Sequence, residues 1–258
     1  MQPTIKNQNE INLMRQSGKI LAYVHEEIEK IAKPGVSTLE LDKLAERLIR
    51  EAGAIPSFKG VPGPVPFPAS ICIAIDDEAV HGIPRADIIL KEGQILTVDL
   101  GVCYKEFHTD SANTYAIGEI DEETNRFVES CRDSLYGAIK MVKPGVKTGE
   151  LGHYIETKIK KDGYHVLKDL IGHGIGKNLH EPPQVPNFGK PHQGTTLLEG
   201  MTICIEPIVA QNTRFIDTLD DHWTIATRDG SLACQIEHTI LVTKTGYEIL
   251  TLRSKEKI

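Results

Sequence analysis

The sequence predicts an α+β fold, with helices packed on one face of a largely antiparallel sheet. Three observations point there: a segment that recurs, helical periodicity around each copy, and short strand-like runs after each copy. "IAKPGVSTLELDKLAERLIREAGA" begins at Ile31 and "MVKPGVKTGELGHYIETKIKKDGY" at Met141, so the KPGV cores start at Lys33 and Lys143. Each core follows one amphipathic segment and precedes another. In the first copy Leu41, Leu44, Ala45, Leu48 and Ile49 share one face at helical spacing. Ser37 with Glu40 reads as a capping box and Gly53 as a stop. The second copy runs from about Thr148 to Asp162 and stops near Gly163. A match this short can arise by chance; the matching context on both sides favours a duplicated α/β unit.

The strand-like runs are "SICIAI" (70–75), "QILTVDLGV" (94–102) and "HTDSANTYAI" (108–117) in the first half. In the second they are "MTICIEPIVA" (201–210), "WTIAT" (223–227) and "CQIEHTILVT" (234–243). Each half therefore reads helix, helix, then strands in hairpins. No linker rich in Pro, Gly or Ser separates the halves, so residues 1–258 are expected to form one fused domain, with halves of about 8–120 and 121–252. The proline-dense "KGVPGPVPFP" (59–68) is expected to be a loop.

Bulk composition narrows the function classes. A chain of 258 residues, 40% hydrophobic and 25% charged, has the profile of an ordinary soluble globular protein with a large core. A net charge of -7 and a pI near 5.8 lack the basic footprint of a protein dominated by nucleic-acid binding. The five cysteines, Cys72, Cys103, Cys131, Cys204 and Cys234, are odd in number and form no CxxC, so they read as reduced thiols. "MQPTIKNQNE" has no apolar signal-peptide core, and no apolar run reaches the length of a membrane span. The expected compartment is the cytoplasm.

Four acids stand where strands should be apolar. Asp99 lies among Ile95, Leu96, Val98 and Leu100, and Asp110 follows on the next strand. A hairpin turning near Tyr104 and Lys105 would place the two opposite each other, where like charges repel unless a cation intervenes. The second half repeats the oddity with Glu206 in "ICIEPIV" and Glu237 in "CQIEHTI". Alternation puts Thr202, Cys204 and Glu206 on one face, and Gln235, Glu237 and Thr239 on another. Any one of these acids could face solvent from an edge strand. All four together, with no Lys or Arg in the same strands, favour a hard, oxygen-rich ligand set. Joined by one histidine, it suits one or two divalent cations such as Mn, Fe, Co or Zn. Carboxylates can bridge two metals about 3.5–4 Å apart.

The histidine is sought in "IGHGIGKNLHEPPQV" (171–185), which carries His173 and His180. "GHGIG" is not GxGxxG, and Asn178 after Lys177 rules out a P-loop. Nor is it HExxH on a helix, because Pro182 and Pro183 forbid that helix. The glycines imply tight turns or close packing. A lone histidine is more often structural than a ligand. Two in a glycine-rich loop, in a chain with four strand carboxylates, shift that balance.

"GHGIGKNLHEPPQVPNF", "TVDLGVCYKEFHTDSANT", "MTICIEPIV", "CQIEHTILVT" and "VHGIP" (80–84) together resemble the type I methionine aminopeptidases, in order and from about Ile5 to Leu252. The resemblance implies the pita-bread fold of two pseudo-symmetric halves, and a site holding two divalent metal ions (Co, Mn, Fe or Zn). It implies that Asp110 and Glu237 bridge the metals, that Asp99 completes one shell, and that His173 and Glu206 complete the other. Glu206 would move the proton, His180 would stabilise the tetrahedral intermediate, and His81 would assist near the leaving nitrogen. The substrate's free α-amine would bind the metal facing it. Phe67, Cys72 and Trp223 match pocket-lining positions, although an isolated Cys, Phe or Trp is often only core. The implied reaction is removal of the initiator methionine from nascent polypeptide N-termini when the next residue is small. Work near the ribosome exit and a monomeric state are implied, with no residue assigned to either. The chain departs from the family pattern in the longer loop at 59–68, with Val61 where an aromatic is usual, and at Leu179, where Phe is common. Two other readings compete with this one. A Xaa-Pro peptidase would normally carry an extra N-terminal domain, and a catalytically silent relative would have lost metal ligands.

Overall fold

A computed structural model describes residues 2–256. The first half contains helices α1 (Gln8–Ile31) and α2 (Thr38–Glu51), then strands β1 (Ile55–Pro56), β2 (Cys72–Ile75), β3 (Glu78–Val80), β4 (Ile95–Tyr104) and β5 (Phe107–Ala116). The second half opens with α3 (Glu122–Ile139) and α4 (Thr148–Lys161). Strands β6 (His165–Val166), β7 (Gly172–Gly174), β8 (Glu181–Val185), β9 (Thr202–Ile205) and β10 (Ile208–Ala210) follow. The chain then forms β11 (Ile216–Thr218), β12 (Ile225–Thr227), β13 (Ala233–Gln235), β14 (His238–Val242) and β15 (Tyr247–Ile249). Every strand pairing among the described residues is antiparallel.

The helices start where the sequence supplies caps. Asn7 with Glu10 closes a capping box on α1, and Ser37 with Glu40 does so on α2. Asp121 accepts from Thr124 N at the start of α3, whereas α4 has no side-chain cap. Each helix pair covers the sheet of its own half. Leu21, Ile28, Leu41 and Ile49 pack with Leu96 and Leu100; Phe127, Leu135, Leu151 and Ile155 pack with Ile203 and Ile240. Burial of each such side chain contributes roughly 2 kcal/mol.

The two KPGV segments have matching backbones. Gly35 (φ +92°) and Gly145 (φ +93°) occupy the left-handed region open to glycine. Their N–H groups donate to Leu90 O and Leu197 O, both at 2.9 Å, and Leu90 and Leu197 donate back to Val36 and Val146. The loop at 59–68 contains no helix or strand.

The halves meet along β5. Glu237 N donates to Ala112 O (2.9 Å), Ser111 Oγ to Glu237 O (2.7 Å) and Thr114 Oγ1 to Gln235 O (2.9 Å). This seam brings Asp110 of one half beside Glu237 of the other. Behind it, His25 of α1 is fully buried. Its Nε2 lies 3.0 Å from Ser111 O, which can only accept, so Nε2 carries the proton and Nδ1 accepts from Tyr115 OH at 2.8 Å. Burial above all, with Arg253 nearby, lowers the His25 pKa from 6.5 to about 3. The folded state therefore binds fewer protons than the unfolded state between those values. The stability His25 contributes is fully present above about pH 6.5 and is lost as pH falls towards 3. Relative to His25→Gln, the wild type is expected to lose about 1.4 kcal/mol per pH unit within that window, measured by denaturant unfolding.

Candidate metal centre

The β4–β5 hairpin turns at Lys105 and Glu106, both at positive φ, and pairs Tyr104 with Phe107. That turn lies one residue later than the sequence reading placed it, so the register moves by two. Asp99 faces Ala112, and Asp110 faces Gly101. The two acids are diagonal neighbours on the same face rather than direct partners, and they still converge, because residues two apart on a strand share a side.

Glu206 and Glu237 are also placed differently from the expected continuous strands. β9 ends at Ile205, and Pro207 has no N–H to carry a ladder onward. β13 ends at Gln235, and the Glu237 N–H turns away to Ala112 of β5. Each acid therefore sits at a break between two short strands. "WTIAT" is shorter as a strand than expected: β12 begins at Ile225, because Asp221 Oδ1 accepts from the N–H groups of Trp223 and Thr224 and makes a turn there.

His173 is presented by β7 between two glycines. A Cβ on Gly172 would lie 2.4 Å from Cys204 O, and one on Gly174 would lie 2.2 Å from Pro182 O. Only glycines let β7 pass between β8 and β9, and His173 alone carries a side chain. Its Nδ1 lies 2.9 Å from Gly174 O and must donate to it. The bare Nε2 then points at Glu206 Oε1, 3.6 Å away. A bare imidazole nitrogen and an acid oxygen facing each other at this distance suit a cation between them, with the imidazole oriented by its other nitrogen as in histidine ligands.

The acids meet in one buried cluster. Oxygens of Asp99, Asp110 and Glu237 lie within 4.8 Å of one another, and donor atoms of His173, Cys204 and Glu237 form a second such group. Asp99 Oδ1 and Glu237 Oε1 are buried with no hydrogen-bond partner among the described residues. Among the described residues no Lys or Arg pairs with any of the four acids, and the basic group nearest to Glu206 is the His173 ring, 3.6 Å away. Burial pushes Asp99 up to about 7, against a hydrogen bond from Gln235. Burial, then repulsion by neighbouring acids, raises Asp110, Glu206 and Glu237 well above the carboxylate range. Burial and His180 lower His173 to about 3, so it remains a neutral base. Protein charge leaves this cluster uncompensated, and its oxygen-rich donors with one imidazole fit divalent transition metals.

Above the cluster lies a cavity of about 580 Å³. One wall is apolar. Phe67 stands edge-on to Trp223 at 5.2 Å, and Cys72 is buried beside them. Trp223 Nε1 donates to Val65 O (2.8 Å), fastening the proline-rich loop over this wall. Val61 and Leu179, the two departures from the family pattern, pack in the same apolar cluster. His81 also lines the cavity; at φ +63° it holds a backbone conformation uncommon for a side-chain-bearing residue. Burial first, then His180, lowers its pKa to about 4. His180 stands exposed at the mouth, its ring 4.4 Å from that of His173. All ten residues singled out from the sequence line this one cavity.

Sequence reading missed the groups that support the cluster. Gln235 Nε2 lies 3.2 Å from Asp99 Oδ2 and 3.5 Å from Glu206 Oε2. Thr239 Oγ1 accepts from Asp110 N and donates to Asp110 O, locking β5 to β14. Cys204 is buried against His173 and Glu237, where burial first, then the charges of Glu237 and Asp110, push its thiol pKa up. The only sequence signal for Gln235 and Thr239 was their shared face with Glu237.

Residues 12–244 match metallopeptidase family M24. Methionine aminopeptidase 1 of Bacillus subtilis is 43% identical over 246 residues, covering 95% of this chain and 98% of that protein. The crystal structure of a methionine aminopeptidase from Thermotoga maritima superposes with a TM-score of 0.94 at 38% identity, covering 97% of this chain and 99% of that one. A prolidase from Pyrococcus horikoshii gives a TM-score of 0.77 at 26% identity. The match covers 98% of this chain but only 65% of the prolidase.

Proposed function

The chain belongs to metallopeptidase family M24, and from that membership we propose that it is a methionine aminopeptidase. It removes the initiator methionine from nascent polypeptides by metal-dependent hydrolysis, preferring a small second residue. The observation that carries this reading is one cavity in which an apolar wall meets four buried carboxylates and an oriented imidazole. The higher similarity to methionine aminopeptidases (43% and 38% identity, TM-score 0.94) than to the prolidase (26% identity, TM-score 0.77) supports it over Xaa-Pro cleavage.

Asp99, Asp110, His173, Glu206 and Glu237 would hold two divalent ions of the Co, Mn, Fe or Zn class, with Asp110 and Glu237 shared between them. Such ions supply Lewis-acid activation of water and of the scissile carbonyl. The protein does the rest. A Glu206 carboxylate oxygen takes the proton of the attacking water and delivers it towards the leaving nitrogen. His180 donates an N–H to the oxygen that gains charge in the tetrahedral intermediate. His81 attends the leaving nitrogen. Phe67, Cys72 and Trp223 enclose the methionine side chain and exclude water from it. The whole of residues 1–258 acts as one catalytic domain, with halves of about 8–120 and 121–252. It works as a monomer in the cytoplasm, near the ribosome exit. No helix among the described residues is long and apolar enough to cross a membrane.

The deciding experiment is release of free methionine from Met-Gly-Met by metal-stripped protein, before and after addition of Mn(II) or Co(II), beside a Xaa-Pro peptide. Release that requires metal and is confined to the methionyl peptide is expected. Cleavage confined to the Xaa-Pro peptide would sink the reading.

A further inference from the structure

We propose that Lys6, in the N-terminal arm, is a positioning residue for the reaction: through a buried ion pair with Glu181 it fixes the place of His180. The proposal rests on the role given to His180 above.

His180 is exposed, so packing of its own ring does little to hold it. Its neighbour Glu181 is buried, and that carboxylate joins the loop between β7 and β8 to the N-terminal arm. Glu181 Oε1 accepts from Asn178 N at 3.0 Å, which closes the loop just before His180. Oε2 accepts from Lys6 Nζ at 2.9 Å and from Thr4 Oγ1 at 2.5 Å. The side chains of Lys6 and Glu181 are each only 4% exposed. Burial opposes ionisation of Glu181, and the bonds from Asn178 N, Thr4 and Lys6 outweigh it, so the group stays a carboxylate.

The arm itself is anchored on both sides of Lys6. Lys6 N donates to Gly200 O at 2.8 Å, and Asn7 caps α1 directly afterwards. The loop is shaped to receive the ammonium: a Cβ on Gly176 would stand 2.5 Å from Lys6 Cε and 2.9 Å from Glu181 Oε1. Gly176 O accepts from His108 N at 2.8 Å, tying the same loop to β5 and hence to the strand of Asp110. Removing the ammonium leaves a buried carboxylate without its counter-charge. Glu181 then moves towards solvent, releases Asn178 N, and takes its sequence neighbour His180 with it. The loss falls on the transition state rather than on substrate binding, because His180 is needed where charge develops.

The test compares K6M, E181Q and the double variant with wild type and H180A, all full length and metal-loaded, on Met-Gly-Met. Side-chain ¹⁵N resonances of the histidine rings are read on the metal-free proteins. K6M is expected to lower kcat about 10- to 100-fold with KM nearly unchanged and bound metal equal to wild type. The His180 resonances should shift while those of His25 stay in place. The double variant should be no worse than K6M, since both changes break one contact. Wild-type kcat with unmoved His180 resonances in K6M overturns the proposal, and so do losses that multiply in the double variant. If K6M does not fold, E181Q decides, because it breaks the ion pair with Lys6 that the proposal invokes without leaving a buried carboxylate unpaired. An unchanged kcat and unmoved His180 resonances in E181Q overturn the proposal; a lowered kcat with the His180 shift supports it. Should wild type release no methionine, the function fails, and the ring resonances alone still decide whether Lys6 positions His180.

Discussion

Asp110→Ala is expected to abolish metal binding at both positions of the centre, not at one. Asp110 lies on β5 at the seam, within 4.8 Å of both Asp99 and Glu237, and Thr239 pins its backbone from β14. In the proposed two-ion centre a carboxylate in that place would be shared, so its removal would leave neither ion with a complete shell. Turnover should fall below about 1% of wild type, since Lewis-acid activation is worth several kcal/mol and each 1.4 kcal/mol is tenfold. Misfolding is separated from metal loss by Asp110→Asn, which preserves shape and removes one charge from a cluster whose acids repel one another. Metal-free Asp110→Asn should melt no lower than metal-free wild type. Added Mn(II) should raise the melting temperature of wild type by mass action and leave the variant unmoved. Two bound metals with near-normal activity in Asp110→Ala would refute the bridging role.

The sequence made the acids legible because burial of charge is costly: a carboxylate inside an apolar run must have a reason to be there. The order helix, helix, strands was legible because KPGV punctuates each half with the same turn chemistry. What failed was register. A hairpin turn displaced by one residue moved Asp99 from Asp110 to Ala112, and nothing between Tyr104 and Phe107 is a turn glycine or asparagine that would have marked the position. The breaks at Glu206 and Glu237 were partly legible. Pro207 announces the first, but the second depends on an N–H leaving its strand for Ala112, in the other half of the molecule. The supports of the site were not legible for the same reason. Lys6 and Glu181 are separated by most of the chain, and only the folded seam shows that an arm before the first helix reaches the loop of His180.

His180→Ala should lower turnover about 10²- to 10³-fold, the scale of losing one donor to a developing oxyanion, while the metal content stays at the wild-type level. The contrast with His173 makes this a sharp expectation. The two rings are 4.4 Å apart, and the residue pattern without the family resemblance leaves their roles undivided. The geometry supports the division proposed above. His173 Nδ1 is spent on Gly174 O, so its free nitrogen can only accept, and that nitrogen faces Glu206 in the buried cluster. His180 has no protein hydrogen-bond partner for its ring among the described residues and stands at the mouth, able to turn an N–H towards a substrate oxygen. His173→Ala should therefore lose metal and activity together, with metal measured by elemental analysis of the purified proteins. His180→Ala should lose activity alone, with KM much less affected than kcat. An equal loss of metal and turnover in His180→Ala would make that ring a ligand or a structural prop. The oxyanion would then have to be stabilised by His81 or by the metals themselves.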